Sequence, residues 1–297
     1  MDIHSPMLML TYTDYEAPAR ALAQALAAPL ALVQVHRFPD GECKVQLPAP
    51  CHDTVVVCRG LDNPDAKLIE LLLTARTART LGAKHLILVA PYLCYMRQDI
   101  AFTPGEAVSQ RIVGNFLADL FDTVITVDPH LHRVHELKEA VPATHAIALS
   151  AAPLMGQFLR TKLQDALLLG PDEESAQWVQ TVAQHAGWEF SVARKTRSGD
   201  RRVAIQLPDI SLRGRDVVLV DDMISTGHTV AQTAHLLKDA GARHIHCTVT
   251  HALYSKESQQ LLHDAGIESI WCSDSIVHPC NVIQLAPALA AAVAALT

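Results

Sequence analysis

Val217-Val218-Leu219-Val220-Asp221-Asp222-Met223-Ile224-Ser225-Thr226-Gly227-His228-Thr229 decides how this chain is read. Four aliphatic residues in a row make a strand buried on both faces, as in a parallel sheet. The strand carries two carboxylates toward its C-terminal edge, where open α/β sheets bind ligands. Adjacent carboxylates there can accept hydrogen bonds from the two vicinal hydroxyls of a ribose. The Ser-Thr-Gly-x-Thr turn opens a helix over Thr229–Ala240. Its backbone N–H groups, the Thr226 and Thr229 hydroxyls and the positive helix end suit a phosphate dianion. The plain alternative is a strand-to-helix turn capped by Ser or Thr.

Outward from this stretch the same alternation recurs. Strands are expected at Thr54–Cys58, His85–Ala90, Thr123–Val127, Ala166–Leu169, Asp216–Val220, Ile245–Thr250 and Ser269–Cys272. Helices are expected at Asp65–Leu81, Val108–Leu120, Ser175–Ala186 and Lys256–Ala265. Gly82, Gly187, Gly241 and Gly266 follow helices where a left-handed cap belongs. The alternation implies α/β units with right-handed crossovers.

Two stretches resemble each other: Val55–Cys58 with the helix ending Leu81-Gly82-Ala83-Lys84-His85, and Val217–Val220 with the helix ending Ala240-Gly241-Ala242-Arg243-His244. Chance similarity of two βαβ units is the alternative to duplication. A duplication places a boundary near residue 150, at the crossover-like Ala148–Pro153, giving domains 1–150 and 151–297. The first copy reads Arg59-Gly60-Leu61-Asp62-Asn63-Pro64 after its strand, without the acidic pair or the hydroxyl-rich loop.

Composition narrows the function classes. The 297 residues are 49% hydrophobic and 19% charged with net charge -7, enough for a large core and without the basic face of a nucleic-acid binder. Seven cysteines, odd in number and without a C-x-x-C pair, argue against a disulfide framework or zinc site. Buried free thiols in a reducing cytosol are expected instead. Neither a signal peptide nor a membrane span is read, so the expectation is a soluble cytoplasmic protein.

The acidic-pair string resembles the phosphoribosyl-diphosphate motif of type I phosphoribosyltransferases and ribose-phosphate diphosphokinases, and three further stretches are similar to the second family alone. Arg37-Phe38-Pro39-Asp40-Gly41-Glu42 resembles its Phe-Pro-Asp-Gly-Glu segment, which implies an ATP contact by Phe38, Asp40, Gly41 and Glu42, partly across a subunit interface. Pro91-Tyr92-Leu93-Cys94-Tyr95-Met96-Arg97-Gln98-Asp99 implies Arg97 and Gln98 at ATP. Val127-Asp128-Pro129-His130 implies His130 as a magnesium ligand, and Asp172 in Gly170-Pro171-Asp172 serves the same ion. Arg194-Lys195-Thr196-Arg197 resembles the mobile catalytic arm, implying that Lys195 and Arg197 close over the transferred group. A solvated basic loop with Arg201 and Arg202 is its plain alternative.

The resemblance implies two phosphoribosyltransferase-like α/β domains, each a mainly parallel sheet flanked by helices, with one active site between them. It implies ATP and ribose 5-phosphate as substrates, Mg2+ as cofactor, no nucleic-acid or membrane partner, and a homo-oligomer built from dimers. Asp221, Asp222, Ser225, Thr226, Gly227, His228 and Thr229 would hold the sugar phosphate. Rival readings are a phosphoribosyltransferase that consumes the diphosphate, and a catalytically weak regulatory subunit.

Two departures stand out. Glu173 and Glu174 replace glycine-like residues beside Asp172, adding negative charge near the diphosphate or capping the next helix. His228 replaces a small glycine in the phosphate loop, adding a donor or blocking the loop's usual conformation. Phe102–Ser109 is short, as in compact archaeal-type members, so the phosphate and ADP regulation of longer forms is not assumed.

Overall fold

The computed structural model describes residues 7–131, 133–198 and 202–296. Its strands are β1 Met7–Thr11, β2 Leu30–Leu32, β3 Gln34–Arg37, β4 Cys43–Gln46, β5 Thr54–Cys58, β6 His85–Val89, β7 Thr123–Val127 and β8 His145–Leu149, then β9 Leu167–Gly170, β10 Phe190–Val192, β11 Arg194–Ser198, β12 Arg202–Gln206, β13 Asp216–Ile224, β14 His244–Ala252, β15 Ile267–Ser273 and β16 Asn281–Ile283. The helices are α1 Glu16–Ala25, α2 Pro64–Thr80, α3 Ser109–Leu120, α4 Leu137–Ala140, α5 Ala152–Lys162, α6 Ala176–Ala186, α7 His228–Asp239, α8 Lys256–Asp264 and α9 Ala286–Ala294.

Two parallel sheets share one plan. Their strand orders are β2-β1-β5-β6-β7-β8 and β10-β9-β13-β14-β15-β16, and each is accompanied by an antiparallel hairpin, β3–β4 or β11–β12. The internal likeness read from two βαβ stretches is therefore a likeness of whole layers. Apolar strands become layered sheets because both faces are covered. In the first unit Leu10, Val55, Val57, Leu86 and Leu88 pack with Leu71, Ala75 and Ala78 of α2. In the second, Leu167, Leu219 and Val249 pack with Val230, Ala234 and Leu237 of α7. Gly82, Gly187, Gly241 and Gly266 close their helices at φ of 106°, 75°, 85° and 98°.

Three findings depart from the sequence reading. The chain divides into one unit running to Leu149 and including Ser275–Val277 and the segment from Leu285, and a second of Ser150–Asp274 and His278–Gln284. A cut near 150 misses this return, because the Ala-rich tail is α9, which packs on α1 and β8. Strand β13 runs on past Val220 through the acidic pair, since β14 pairs with it as far as Ile224↔Ala252. Finally, Cys272 and Cys280 are disulfide-bonded, against the expectation of free thiols only. The turn before β16 brings their Cα atoms to 5.5 Å, a bridging separation that no C-x-x-C count reveals. Among the described residues the other five cysteines form no disulfide, and burial pushes the Cys94 thiol up to about 12.

No described helix is long and apolar enough to cross a membrane. Helix α3 meets the α4 segment so closely that a Cβ on Gly114 would lie 1.8 Å from the Ala140 carbonyl oxygen. Gly114→Ala must therefore separate backbone from backbone. We expect a loss of about 3 kcal/mol or more, at the upper end of overpacking costs, read by urea unfolding.

Candidate active site

In the second unit, β13 brings Asp221 and Asp222 to its C-terminal end. Asp222 is 3% exposed, and its backbone N–H donates to Asp221 Oδ1 at 2.9 Å. Burial, then the charges of Asp222 and Asp172, hold the Asp221 carboxyl well above the usual carboxylate range. The site thus concentrates negative charge from three carboxylates. Lys195 on β11 is drawn into it, with Nζ 3.4 Å from Asp172 Oδ2.

The raised carboxyl predicts a stability change of definite sign. A group whose pKa is raised by folding contributes its full stability below its unfolded pKa of about 3.9, and that stability is lost as pH rises through the folded value. Asp221→Asn should therefore raise the melting temperature at pH 8 in chelator-treated buffer, by about 2–4 °C for each kcal/mol of relieved repulsion. The gain should vanish near pH 4. An equal gain at both pH values would remove the charge from the explanation.

After the acidic pair the chain turns through Ser225 and Thr226, both exposed, into α7. Gly227 is left-handed, at φ 78°, and a Cβ there would meet Leu262 at 3.3 Å, so glycine alone suits the turn. Its N-cap residue, Gly227, has no side chain with which to cap the first amides of the helix. His228 occupies the first helical position with an exposed side chain. Thr229 is half-buried. Glu173 and Glu174 are exposed in a short 3-10 turn leading into α6, where carboxylates complement the helix end. Asp172 points otherwise, half-buried, with its carbonyl accepting from Ser175 Oγ at 2.5 Å.

In the first unit, the loop after β6 carries Arg97, exposed, and Gln98, half-buried. The loop is pinned at three places. Tyr95, at φ 61°, donates its hydroxyl to Asp65 at 2.5 Å. Ser109 Oγ donates to Gln98 Oε1 at 2.9 Å. Buried Asp99 accepts from Arg133 Nη1 at 2.8 Å, which ties the Arg97–Gln98 loop to the segment after β7 that bears half-buried His130. The Phe38–Glu42 turn stands at the tip of hairpin β3–β4, every residue exposed. The Arg197 side chain, and His132, lie outside the described residues.

Sequence reasoning missed Arg133 and a buried ion network of Asp14, Arg37, Arg59 and Glu70. The second had a signal. Glu70 lies in the buried stripe Glu70, Leu71, Thr74, Ala75, Ala78 of α2, and a carboxylate on an apolar face requires a buried partner.

Among the described residues no three His, Cys, Asp or Glu side chains converge as a metal cage. Asp172 nonetheless offers a hard oxygen donor within a net negative cluster, which fits a hard divalent cation. Such a cation as magnesium takes only one or two protein carboxylates and completes its shell with water and phosphate oxygens.

Residues 7–120 match the model of the N-terminal domain of ribose phosphate pyrophosphokinase, and residues 138–282 that of the phosphoribosyl transferase domain. A ribose-phosphate pyrophosphokinase of Methanopyrus kandleri is 37% identical over 97% of this chain and 98% of its own. Ribose-phosphate pyrophosphokinase 2 of Archaeoglobus fulgidus is 34% identical over 92% of this chain and 94% of its own. The crystal structure of phosphoribosylpyrophosphate synthetase from Mycobacterium smegmatis has the same fold, with a TM-score of 0.82 at 21% identity and 98% of each chain covered. An acidic pair and an open helix end at one sheet edge, in a chain matched along nearly its whole length by these relatives, lead to one assignment: this protein belongs to the ribose-phosphate pyrophosphokinase family.

Proposed function

We propose that this chain transfers the β,γ-diphosphoryl group of ATP to the 1-hydroxyl of ribose 5-phosphate, giving phosphoribosyl diphosphate and AMP. The observation that carries the residue assignment is the gathering of Asp221, Asp222, Asp172, Lys195 and the uncapped α7 end in one unit. Asp221 and Asp222 accept hydrogen bonds from the ribose hydroxyls. Ser225, Thr226, Gly227, His228 and Thr229 hold the 5-phosphate with backbone and hydroxyl donors. So oriented, the 1-hydroxyl attacks the β-phosphorus in line and AMP departs. Charge spreads over the transferred group, and Lys195 and Arg197 neutralise it from hairpin β11–β12.

Arg97 and Gln98 receive ATP. Phe38, Asp40, Gly41 and Glu42 do so from a neighbouring subunit of a homo-oligomer assembled from dimers, on a turn that is exposed in the single chain. Mg2+ would be held by His130 and Asp172, and it supplies charge neutralisation at the phosphate oxygens. The same reading places the enzyme in the cytoplasm, and a net charge of -7 lacks the basic face that a nucleic-acid partner would need.

Mass spectrometry of a mixture of protein, ATP, Mg2+ and ribose 5-phosphate tests the reaction. AMP and phosphoribosyl diphosphate should appear in equal amounts. Turnover only with a nucleobase and added phosphoribosyl diphosphate would mark a phosphoribosyltransferase instead. No turnover alone, but stimulation of a partner enzyme, would mark a regulatory subunit.

A further inference from the structure

The duplicated plan makes the two hairpins equivalent. Val33 N donates to the Thr11 carbonyl at the end of β1, and Ala193 N donates to the Gly170 carbonyl at the end of β9. Four residues beyond each stand Arg37 and Arg197. Leu10 pairs with Val57 and Leu169 with Leu219, so two residues further on Arg59 occupies the place of Asp221. Counting back twelve residues from Gly82 and from Gly241 gives Glu70 and Thr229. The first unit thus carries charged residues of its own where the second has a carboxylate and a phosphate-loop hydroxyl.

Those residues bond to one another. Arg59 Nη1 donates to Glu70 Oε2 at 2.5 Å, Arg59 Nη2 to Asp14 Oδ2 at 3.0 Å, and the guanidinium lies 3.9 Å over the Tyr12 ring. Arg37 Nη2 donates to the other oxygen, Glu70 Oε1. The Glu70 side chain is 2% exposed and that of Arg59 7%, so Glu70 is a fixed acceptor, while Arg37 reaches it from a side chain 54% exposed. A cavity of about 790 Å³ adjoins the network, and Lys67 in its wall is already taken up by Asp14, Asp62 and the Gly60 carbonyl. The charges in this cleft are matched from within, which leaves the network a mechanical role.

We infer that Arg37 and Glu70 are positioning residues: their ion pair clamps hairpin β3–β4 to α2 and so aims the Phe38–Glu42 turn at the nucleotide. This rests on the reading of that turn as an ATP contact. Arg37 is in the last pair of the hairpin, Arg37↔Cys43, immediately before Phe38. The turn's own bonds are internal: Phe38 N to Glu42 O at 2.8 Å, Gly41 N to Phe38 O at 3.0 Å, Glu42 N to Asp40 Oδ1 at 3.1 Å. They set the shape of the turn and not its direction. Val35 and Val45 seat the body of the hairpin on the core, and the Arg37–Glu70 pair anchors its tip, one residue from the turn. The second unit has a neutral hydroxyl, Thr229, where α2 has Glu70, so the equivalent helix position offers no carboxylate to its hairpin.

The full-length Arg37→Gln protein tests this by two readouts. Amide exchange across Gln34–Gln46 should quicken by about tenfold with an unchanged melting temperature, because only local opening is affected. The KM for ATP should rise about tenfold with kcat and the KM for ribose 5-phosphate within about twofold, the pattern of lost uniform binding. Arg37→Lys, which keeps the charge, should recover part of both effects. Phe38→Ala, measured in parallel, separates the two claims. A normal ATP KM in Phe38→Ala overturns the reading of the turn, and the clamp with it. A raised ATP KM in Phe38→Ala with normal exchange and normal KM in Arg37→Gln overturns the clamp alone.

Discussion

Lys195→Ala and Arg197→Ala should each lower kcat by about 10²–10³, equivalent to about 2.7–4 kcal/mol of transition-state stabilisation, with much smaller changes in ribose 5-phosphate affinity. Phosphoryl transfer leaves the protein little to do beyond positioning and charge neutralisation, so loss of a cation at the transferred group falls on the chemical step. Lys195 already lies within reach of the acidic site, at 3.4 Å from Asp172. Its partial burial beside that carboxylate shows that the hairpin can deliver an ammonium group there. Single-turnover quench-flow measures the step directly. Near-normal rates in both variants would take hairpin β11–β12 out of the mechanism and restore the solvated-loop reading.

The second large effect is on binding. Asp222→Ala should weaken ribose 5-phosphate by about ten- to hundredfold while leaving ATP affinity nearly unchanged, since a hydrogen bond to a charged group contributes about 1.5–3 kcal/mol. Stability should not fall in step. Asp222 is buried beside Asp221, whose carboxyl its charge pushes up, so removing it relieves repulsion in the ligand-free protein. This opposition distinguishes a binding role from a structural one. Titration calorimetry together with thermal melting checks it: unchanged sugar-phosphate affinity in a folded variant would move the ribose elsewhere.

Much of the architecture was legible because its causes are local. Val217–Val220 is a buried strand by composition, Gly227 is required by a positive φ, and Gly82 and Gly241 close their helices for the same steric reason. Such features depend on a few neighbouring residues, and the spacing of apolar side chains reports them without any knowledge of the fold. The roles suggested by resemblance for Asp221, Asp222 and the following loop were likewise written in one short string.

Tertiary structure decided what depends on residues far apart in sequence. Glu173 and Glu174 follow Asp172 directly in sequence, and only the fold shows them exposed in the 3-10 turn that leads into α6. The Ala-rich α9 is a local run of helix formers, yet only its packing on α1 and β8 places it in the first unit. Cys272 and Cys280 looked like two more free thiols until the β15–β16 connection brought them together. Arg59 and Glu70 are eleven residues apart and Asp14 is far from both, so their network exists only once β1, β5 and α2 share a layer. A buried charge must find its partner in space, and the spacing of residues along the chain carries no record of where that partner will be.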